Sequence, residues 1–332
     1  IQNDGSRKQR AENWQIAIGL QDVDRLQNSA YLLDTARQHI EGELDIDAVQ
    51  QRIEDYYRTT EGRELASQRT DEADIVATRI SAILAEKTFA FIPSSYANLH
   101  KRLFNGVFKH AGEYRKVNIS KREWVLDGES VIYAPYELLR ETIEYDFTQE
   151  RNFSYKGLSP VESVKHIAKF ISGIWQIHPF CEGNTRATAV FMIKYLQTFG
   201  FKVSNQVFAE NSWYFRNALV RANYNNLQNN IHSTTEFLEQ FIENLLMGAN
   251  HELKNRCLHI DYSESIQSAK PQISKCQNCT LEELALLREI SKNPSITQKE
   301  LATVTGSEKQ WHFRKKDSSD AKMVNVTVSG KF

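Results

Sequence analysis

The sequence predicts an all-α protein that carries one β-hairpin, on three observations. Residues 161–175 and 185–201 are long apolar runs at helical spacing. The clearest strand pattern falls in one place, residues 116–136, around a two-residue turn. Both ends of the chain read as short helices broken by polar turns.

Taken in order, residues 13–57 form a small helical module, assigned to 10–60, with helices at 15–23, 29–39 and 45–57. Ser29 and Asp45 are its N-caps, because a short polar oxygen ahead of a helix accepts a first-turn N–H. Residues 59–74 are a polar linker or the run-in to a helix. The main domain is expected over 70–250, opening with the amphipathic helix 75–84.

Residues 116–136 place Asp127-Gly128, a favoured hairpin turn, between the runs Trp124-Val125-Leu126 and Val131-Ile132-Tyr133. A lone two-stranded hairpin is marginal in water, so this one must lean on the helices. Its edge offers a place for an extended peptide through Glu123, Trp124, Val125, Leu126, Asp127 and Gly128. The alternative is a structural hairpin that covers a core edge.

In residues 161–175, Val164, Ile167, Ile171, Ile174 and Trp175 share one face. Pro179 disfavours helix for His178, so that helix ends there. The run from Thr185 is apolar nearly all round and ends at Gly200, as expected of a central buried helix. Residues 211–224 form a further helix, on which Tyr214 and Asn217 are candidates for an adenine pocket or else part of core and solvated face. After a linker at 251–279, residues 280–332 hold a helix with Leu281, Leu284, Leu287 and Ile290. A second helix opens at Thr297, with Glu300 completing a capping box. This resembles the start of a winged helix-turn-helix, partial or divergent, with DNA as the partner it implies.

The composition excludes some classes. Lys and Arg total 41 against 42 Asp and Glu, which gives no bulk attraction to nucleic acid or to an anionic membrane. No apolar run approaches the roughly 20 residues that span a bilayer, and no signal-peptide core is visible, so a cytoplasmic protein with no membrane partner is expected. Cys276 and Cys279, with Cys257 and His259, have the elements of a zinc site. The polar surroundings favour plain linker cysteines.

The chemistry concentrates in His178-Pro179-Phe180-Cys181-Glu182-Gly183-Asn184-Thr185-Arg186. A helix N-terminus presents free N–H groups and a favourable dipole to anions, and Arg186 in its first turn makes a phosphate chain the natural guest. His178 is a base that works near neutral pH, and Glu182 suits a Mg2+ ion shared with phosphate oxygens. Gly183 permits close approach, while Asn184 adds an amide donor.

This run resembles the motif of the Fic family, His-x-Phe-x-(Asp/Glu)-Gly-Asn-Gly-Arg-x-x-Arg. The resemblance implies a compact helical core and transfer of AMP from ATP to a hydroxyl of a target protein. It makes His178 the base, Phe180 a loop anchor and Glu182 the Mg2+ ligand. Gly183, Asn184, Thr185 and Arg186 become the nucleotide-binding residues, and the hairpin becomes the flap that docks the target's Ser, Thr or Tyr. Two positions depart from the motif: Thr185 replaces the second Gly, and Ala189 replaces the second Arg. Relatives of the Doc type, which lack both features, act as kinases.

Residues 10–60 resemble the antitoxin modules that accompany some family members and whose Glu blocks the second arginine. Aligned to that pattern, Asp24 takes the inhibitory position. Its expected partner is Ala189, so a purely structural cap is the favoured reading. Two function classes follow: a protein adenylyltransferase, or failing that a Doc-like kinase, and a nucleotide-sensing DNA-binding regulator with an impaired core.

Overall fold

The computed structural model describes residues 5–59, 64, 68–201, 205–262, 281–293, 300, 312–313 and 326–327. Among these the chain is mostly helical. The first three helices, α1 (Arg7–Gly19), α2 (Ala30–Glu41) and α3 (Ile46–Tyr56), form the N-terminal module. Ser29 Oγ accepts from Leu32 N at 3.0 Å, and Asp45 Oδ1 accepts from Ala48 N at 2.7 Å, so both expected caps close their helices. The first helix begins earlier than its apolar spacing suggested, because Ser6 caps it, and it tightens into a 3₁₀ turn at Leu20–Asp24.

The module lies flush on the rest of the chain. Helix α1 packs along α4 (Thr70–Ala85) and α9 (Asn205–Ala222). At the crossing with α9, a Cβ on Gly19 would fall 2.4 Å from Ala209 Cα, so only glycine permits that approach. Ser212 Oγ donates to Gly19 O at 2.6 Å. On α4, the buried Asp74 receives Ser29 Oγ at 2.5 Å, Ser29 N at 3.0 Å, Asn28 Nδ2 at 3.1 Å and Tyr57 Oη at 2.7 Å. The gap between module and body is thus bridged by donors converging on one carboxylate.

The body is built from α4, α5 (Pro93–Phe104), α6 (Leu139–Asn152), α7 (Pro160–Ile177), α8 (Asn184–Thr198), α9 and α10 (Glu236–Met247). Ser159 and Glu162 form a full capping box at the start of α7, with Pro160 in the first turn. Every residue of α8 from Asn184 to Leu196 is buried, as its all-round apolar sequence required. Phe191 on α8 sits among Phe89, Phe91, Tyr96, Phe147 and Phe170 at centroid distances from 5.3 to 6.3 Å, which fixes the helix at the centre of the core.

The expected hairpin does not form. Residues 116–136 carry no strand; Trp124–Leu126 is a 3₁₀ turn, followed by Asp127 and Gly128 at φ 52° and 85°. The turn residues adopt the left-handed conformations that their identity favours, and Glu123 N still donates to Glu129 O at 3.0 Å. A ladder fails beyond that bond. Val125 and Leu126 are consecutive and both fully buried, whereas a strand with one solvent-facing side alternates. Ser130 Oγ takes the N–H of Lys121 at 3.2 Å in place of a backbone partner.

C-terminal to α10, α11 (Leu281–Lys292) is the helix expected from the leucine spacing. Arg288 on it donates to Leu245 O at 3.0 Å, which ties α11 to the end of α10. Strands His312–Phe313 and Val326–Thr327 pair antiparallel. The capping Thr297, and Cys276 and Cys279 of the zinc option, lie outside the described residues.

Candidate active site

The loop between α7 and α8 is held by its own backbone. His178 closes α7 in the left-handed region at φ 49°, ψ 57°. Gly183 opens α8 at φ 75°, and a Cβ there would stand 2.5 Å from Phe104 Cε2. Asn184 does not reach outward to a phosphate, as the sequence suggested. Its Oδ1 accepts from Phe180 N at 3.0 Å and its Nδ2 donates to Phe180 O at 2.7 Å, so the amide latches the loop shut. Thr185 likewise turns inward and accepts from Trp175 Nε1 at 3.0 Å, which leaves only its backbone for a ligand. No side chain caps α8, so its first-turn N–H groups are the free donors of the loop.

Two residues that the sequence reading passed over complete the frame. Arg115 Nε donates to His178 O at 2.8 Å, and its backbone N donates to Pro179 O at 2.8 Å. His100 stacks on Phe180 with centroids 3.7 Å apart. Its Nδ1 accepts from Gly112 N at 2.9 Å, so Nε2 carries the proton and donates to Glu182 O at 2.9 Å. Burial pushes His100 down to about 4, which keeps this neutral tautomer in place.

His178 is 2 % exposed. Its Nδ1 lies 3.2 Å from Trp175 O, and a carbonyl only accepts, so Nδ1 is protonated and Nε2 carries the lone pair. That Nε2 is buried and has no hydrogen-bond partner. Tyr133 stacks over the ring at 4.1 Å, and its hydroxyl is likewise buried and unpartnered. Burial, then Lys121 and the arginines 216 and 115, hold His178 well below the ordinary histidine range. The imidazole is neutral and its free nitrogen is the acceptor.

Arg186 presents the opposite picture. It is fully buried, and its NH1 donates to Gln21 Oε1 at 3.1 Å. Its NH2 meets Glu72 Oε1 at 2.5 Å, and Arg69 in turn holds Glu72 through two bonds of 2.9 Å. Asp24 Oδ2 lies 2.9 Å from Arg186 Nε, off the N–H direction, so this contact is an ion pair rather than an aligned hydrogen bond. The partner of Asp24 in the motif is therefore Arg186, not position 189. Ala189 is fully buried in α8 and makes no such contact. Two opposing effects act on the Asp24 carboxyl: burial raises its pKa, while Arg186, Arg216 and Lys121 together outweigh this and leave it below the usual range.

Glu182 is exposed at the loop's rim, and its carboxylate meets Lys121 Nζ at 3.1 Å. One accessible carboxylate held only by a solvent-side ammonium fits a Mg2+ ion that draws its other ligands from phosphates and water.

The flap and pocket calls fare unevenly. Glu123 is buried and gives both carboxylate oxygens to Arg216 NH2 at 3.0 Å each. Val125 and Leu126 face the core, and Val125 O already accepts from Ile260 N at 3.0 Å. Trp124, Asp127 and Gly128 are the members left exposed. Tyr214 packs in the core, its ring 6.5 Å from that of Phe241, as in the core alternative of the sequence reading. Asn217 Nδ2 is spent on Asn255 Oδ1 at 2.8 Å, although its own Oδ1 is unpartnered. Cys181 and Cys257 are free thiols. A cavity of 890 Å³ lined by Tyr114, Arg115, Tyr136 and Arg140 adjoins the loop through Arg115 and does not include His178 or Arg186.

Residues 91–196 match the model of the Fic/DOC family. Among solved structures, the N-terminal Fic domain of an effector protein from a Bartonella species aligns with 21 % identity and a TM-score of 0.43, over 55 % of this chain and 82 % of that one. BepC from Bartonella tribocorum, solved with bound AMPPNP, aligns with 19 % identity and a TM-score of 0.41, over 57 % of this chain and 89 % of that one. A Fic family protein from Desulfovibrio desulfuricans aligns with 12 % identity and a TM-score of 0.46, over 90 % of this chain and 75 % of that one. No curated protein matches the chain.

Proposed function

We propose, for a chain whose residues 91–196 match the Fic/DOC family model, that it transfers AMP from ATP to a hydroxyl side chain of a target protein, with pyrophosphate as the leaving group. The observation that carries this reading is the lone pair on His178 Nε2, buried beside an uncapped helix N-terminus that holds an arginine. A neutral imidazole with one nitrogen fixed by a carbonyl and the other free is a general base without a proton acceptor's usual partner. The acceptor hydroxyl is that partner. The first-turn N–H groups of α8 and the guanidinium of Arg186 take the phosphates. Bound through Glu182, Mg2+ would neutralise phosphate charge as the bridging bond breaks. Trp124, Asp127 and Gly128 remain as the exposed flap surface for the target.

The N-terminal module acts as a block in this reading. Gln21 takes one donor of Arg186, and Asp24 pairs with its charge where a phosphate would bind. A Doc-like phosphate transfer is the second reading, favoured by Ala189, which leaves α8 without the second arginine of AMP-transferring relatives. ATP labelled at the α or the γ position decides between them when the chain is incubated with lysate and Mg2+. Label from the α position on protein, gained as AMP in intact mass, supports AMP transfer. Label from the γ position alone overturns it in favour of a kinase. With no label from either, the nucleotide-sensing regulator replaces both, and DNA binding through residues 280–332 becomes the activity to measure.

A further inference from the structure

Among the described residues, two buried polar atoms that lack a partner sit on rings stacked against each other, His178 Nε2 and the Tyr133 hydroxyl. The ring centroids are 4.1 Å apart and the planes 28° from parallel. Trp175 meets both rings edge-on, at 5.2 Å from His178 and 5.9 Å from Tyr133. One side chain ties the pair together. Arg115 donates through Nε to His178 O at 2.8 Å and through NH2 to Ala134 O, one residue beyond Tyr133. On the other flank, Gln176 Nε2 donates to Ile132 O at 3.2 Å. The backbone on both sides of Tyr133 is thus anchored to the end of α7.

Packing accounts for the ring of Tyr133 but not for its oxygen. A phenylalanine would fill the same space without burying an unpaired O–H, which costs stability. Burial, then Glu123, pushes this hydroxyl up, so it stays a phenol and is a donor rather than a second base. Arg216 and Arg115 act on both Tyr133 and His178, which sets the two polar edges in one electrostatic neighbourhood. Their needs are complementary. His178 Nε2 lacks a donor, and the Tyr133 O–H lacks an acceptor. A hydroxyl meets both through a single atom, whereas an ammonium only donates, a carboxylate only accepts and an amide divides the two roles between two atoms.

We infer that Tyr133 and His178 together bind the acceptor hydroxyl of the target, which donates to His178 Nε2 while accepting from Tyr133 Oη. The inference rests on the proposed AMP transfer and names what selects a hydroxyl as its acceptor. As the hydroxyl oxygen bonds to the α-phosphorus and pyrophosphate leaves, the hydroxyl proton passes to His178 Nε2 and Tyr133 keeps its own.

The test is Tyr133→Phe in the full chain, alone and combined with Asp24→Ala. It is read by transfer of α-label from Mg-ATP to lysate protein, by AMPPNP affinity in calorimetry and by thermal melting. The ring and its stack remain and only the oxygen is lost. Transfer should fall about tenfold or more, the loss expected of one hydrogen bond to the reacting hydroxyl, while AMPPNP affinity stays within about threefold. The melting temperature should stay level or rise, because no bond within the fold is broken. A Tyr133→Phe chain that keeps more than about a third of the transfer, where His178→Ala abolishes it, overturns the role of Tyr133 and leaves AMP transfer intact. A lower melting temperature would reveal a partner inside the fold, and a matching loss of AMPPNP affinity would put the hydroxyl on the nucleotide; either overturns the inference alone. No α-label from chains that retain Tyr133, with or without Asp24→Ala, sinks the AMP-transfer reading and this inference with it.

Discussion

His178 and Arg186 end the same loop and are finished in opposite ways. The histidine has a free Nε2 with no partner, whereas the charge of the arginine is met by Glu72 and Asp24 and its NH1 by Gln21, leaving only Nε without an aligned hydrogen bond. Buried polar atoms are normally satisfied, and the acceptor hydroxyl of the proposed reaction would supply the partner that His178 Nε2 lacks. A buried arginine facing two carboxylates instead has its charge balanced within the chain. On the proposed function, the difference separates two demands on one site: a base that is ready and an anion position filled from within.

The largest expected effect sharpens the histidine end. His178→Ala should lower transfer by about 10²- to 10⁴-fold, as loss of a general base does, and leave AMPPNP affinity within about threefold. Retention of a tenth or more of the wild-type rate would remove His178 from the chemistry. At the other end the same kind of truncation should strike the fold. Arg186→Ala leaves Glu72 and Asp24 in a buried network short of a cation, and breaking such a network typically costs about 3–5 kcal/mol. Arg69 and Arg216 remain to share the charge, so a loss near the lower figure is expected in denaturant titration. A variant as stable as wild type would mean that the arginine's ion pairs are not those described.

A smaller effect follows from pH. His100 falls from the ordinary 6.5 to about 4 in the folded chain. Between these values the unfolded state binds a proton that the folded state refuses, so stability declines as pH drops from 6.5 toward 4. The full contribution is about 3 kcal/mol. The depressed His178 acts with the same sign, while Asp74, whose pKa burial raises, acts with the opposite one. Comparing wild type with His100→Gln across this window isolates the first. The variant should show a shallower decline, and parallel curves would contradict the neutral, doubly bonded His100.

What the sequence made legible was local. Ser29 and Asp45 cap helices because the signal and its target lie three residues apart. Pro179 and Gly183 mark where α7 stops and α8 starts, and Asp127-Gly128 adopts the turn its identity favours. What the sequence hid was pairing across distance. Glu123 meets Arg216 from 93 residues away, Glu72 meets Arg186 from 114 and Gln21 from 165, and no local pattern encodes such partners. The hairpin failed for the same reason. Its two apolar runs flank a favoured turn, but Val125 and Leu126 both turn inward and Val125 O is taken by Ile260 N. Asp24 was found by alignment to a motif, yet its true partner emerged only once α1, α4 and α8 were assembled.

The central claim is that the base stands ready while Asp24 keeps the phosphate position closed. Its most direct test is the rate of α-label transfer from ATP to protein by wild type and by Asp24→Ala, each alone and combined with His178→Ala. Asp24→Ala should raise the rate by about tenfold or more, the gain expected when a charge-assisted competitor is removed, and His178→Ala should abolish it in both backgrounds. A folded Asp24→Ala chain that transfers no faster than wild type would contradict the claim.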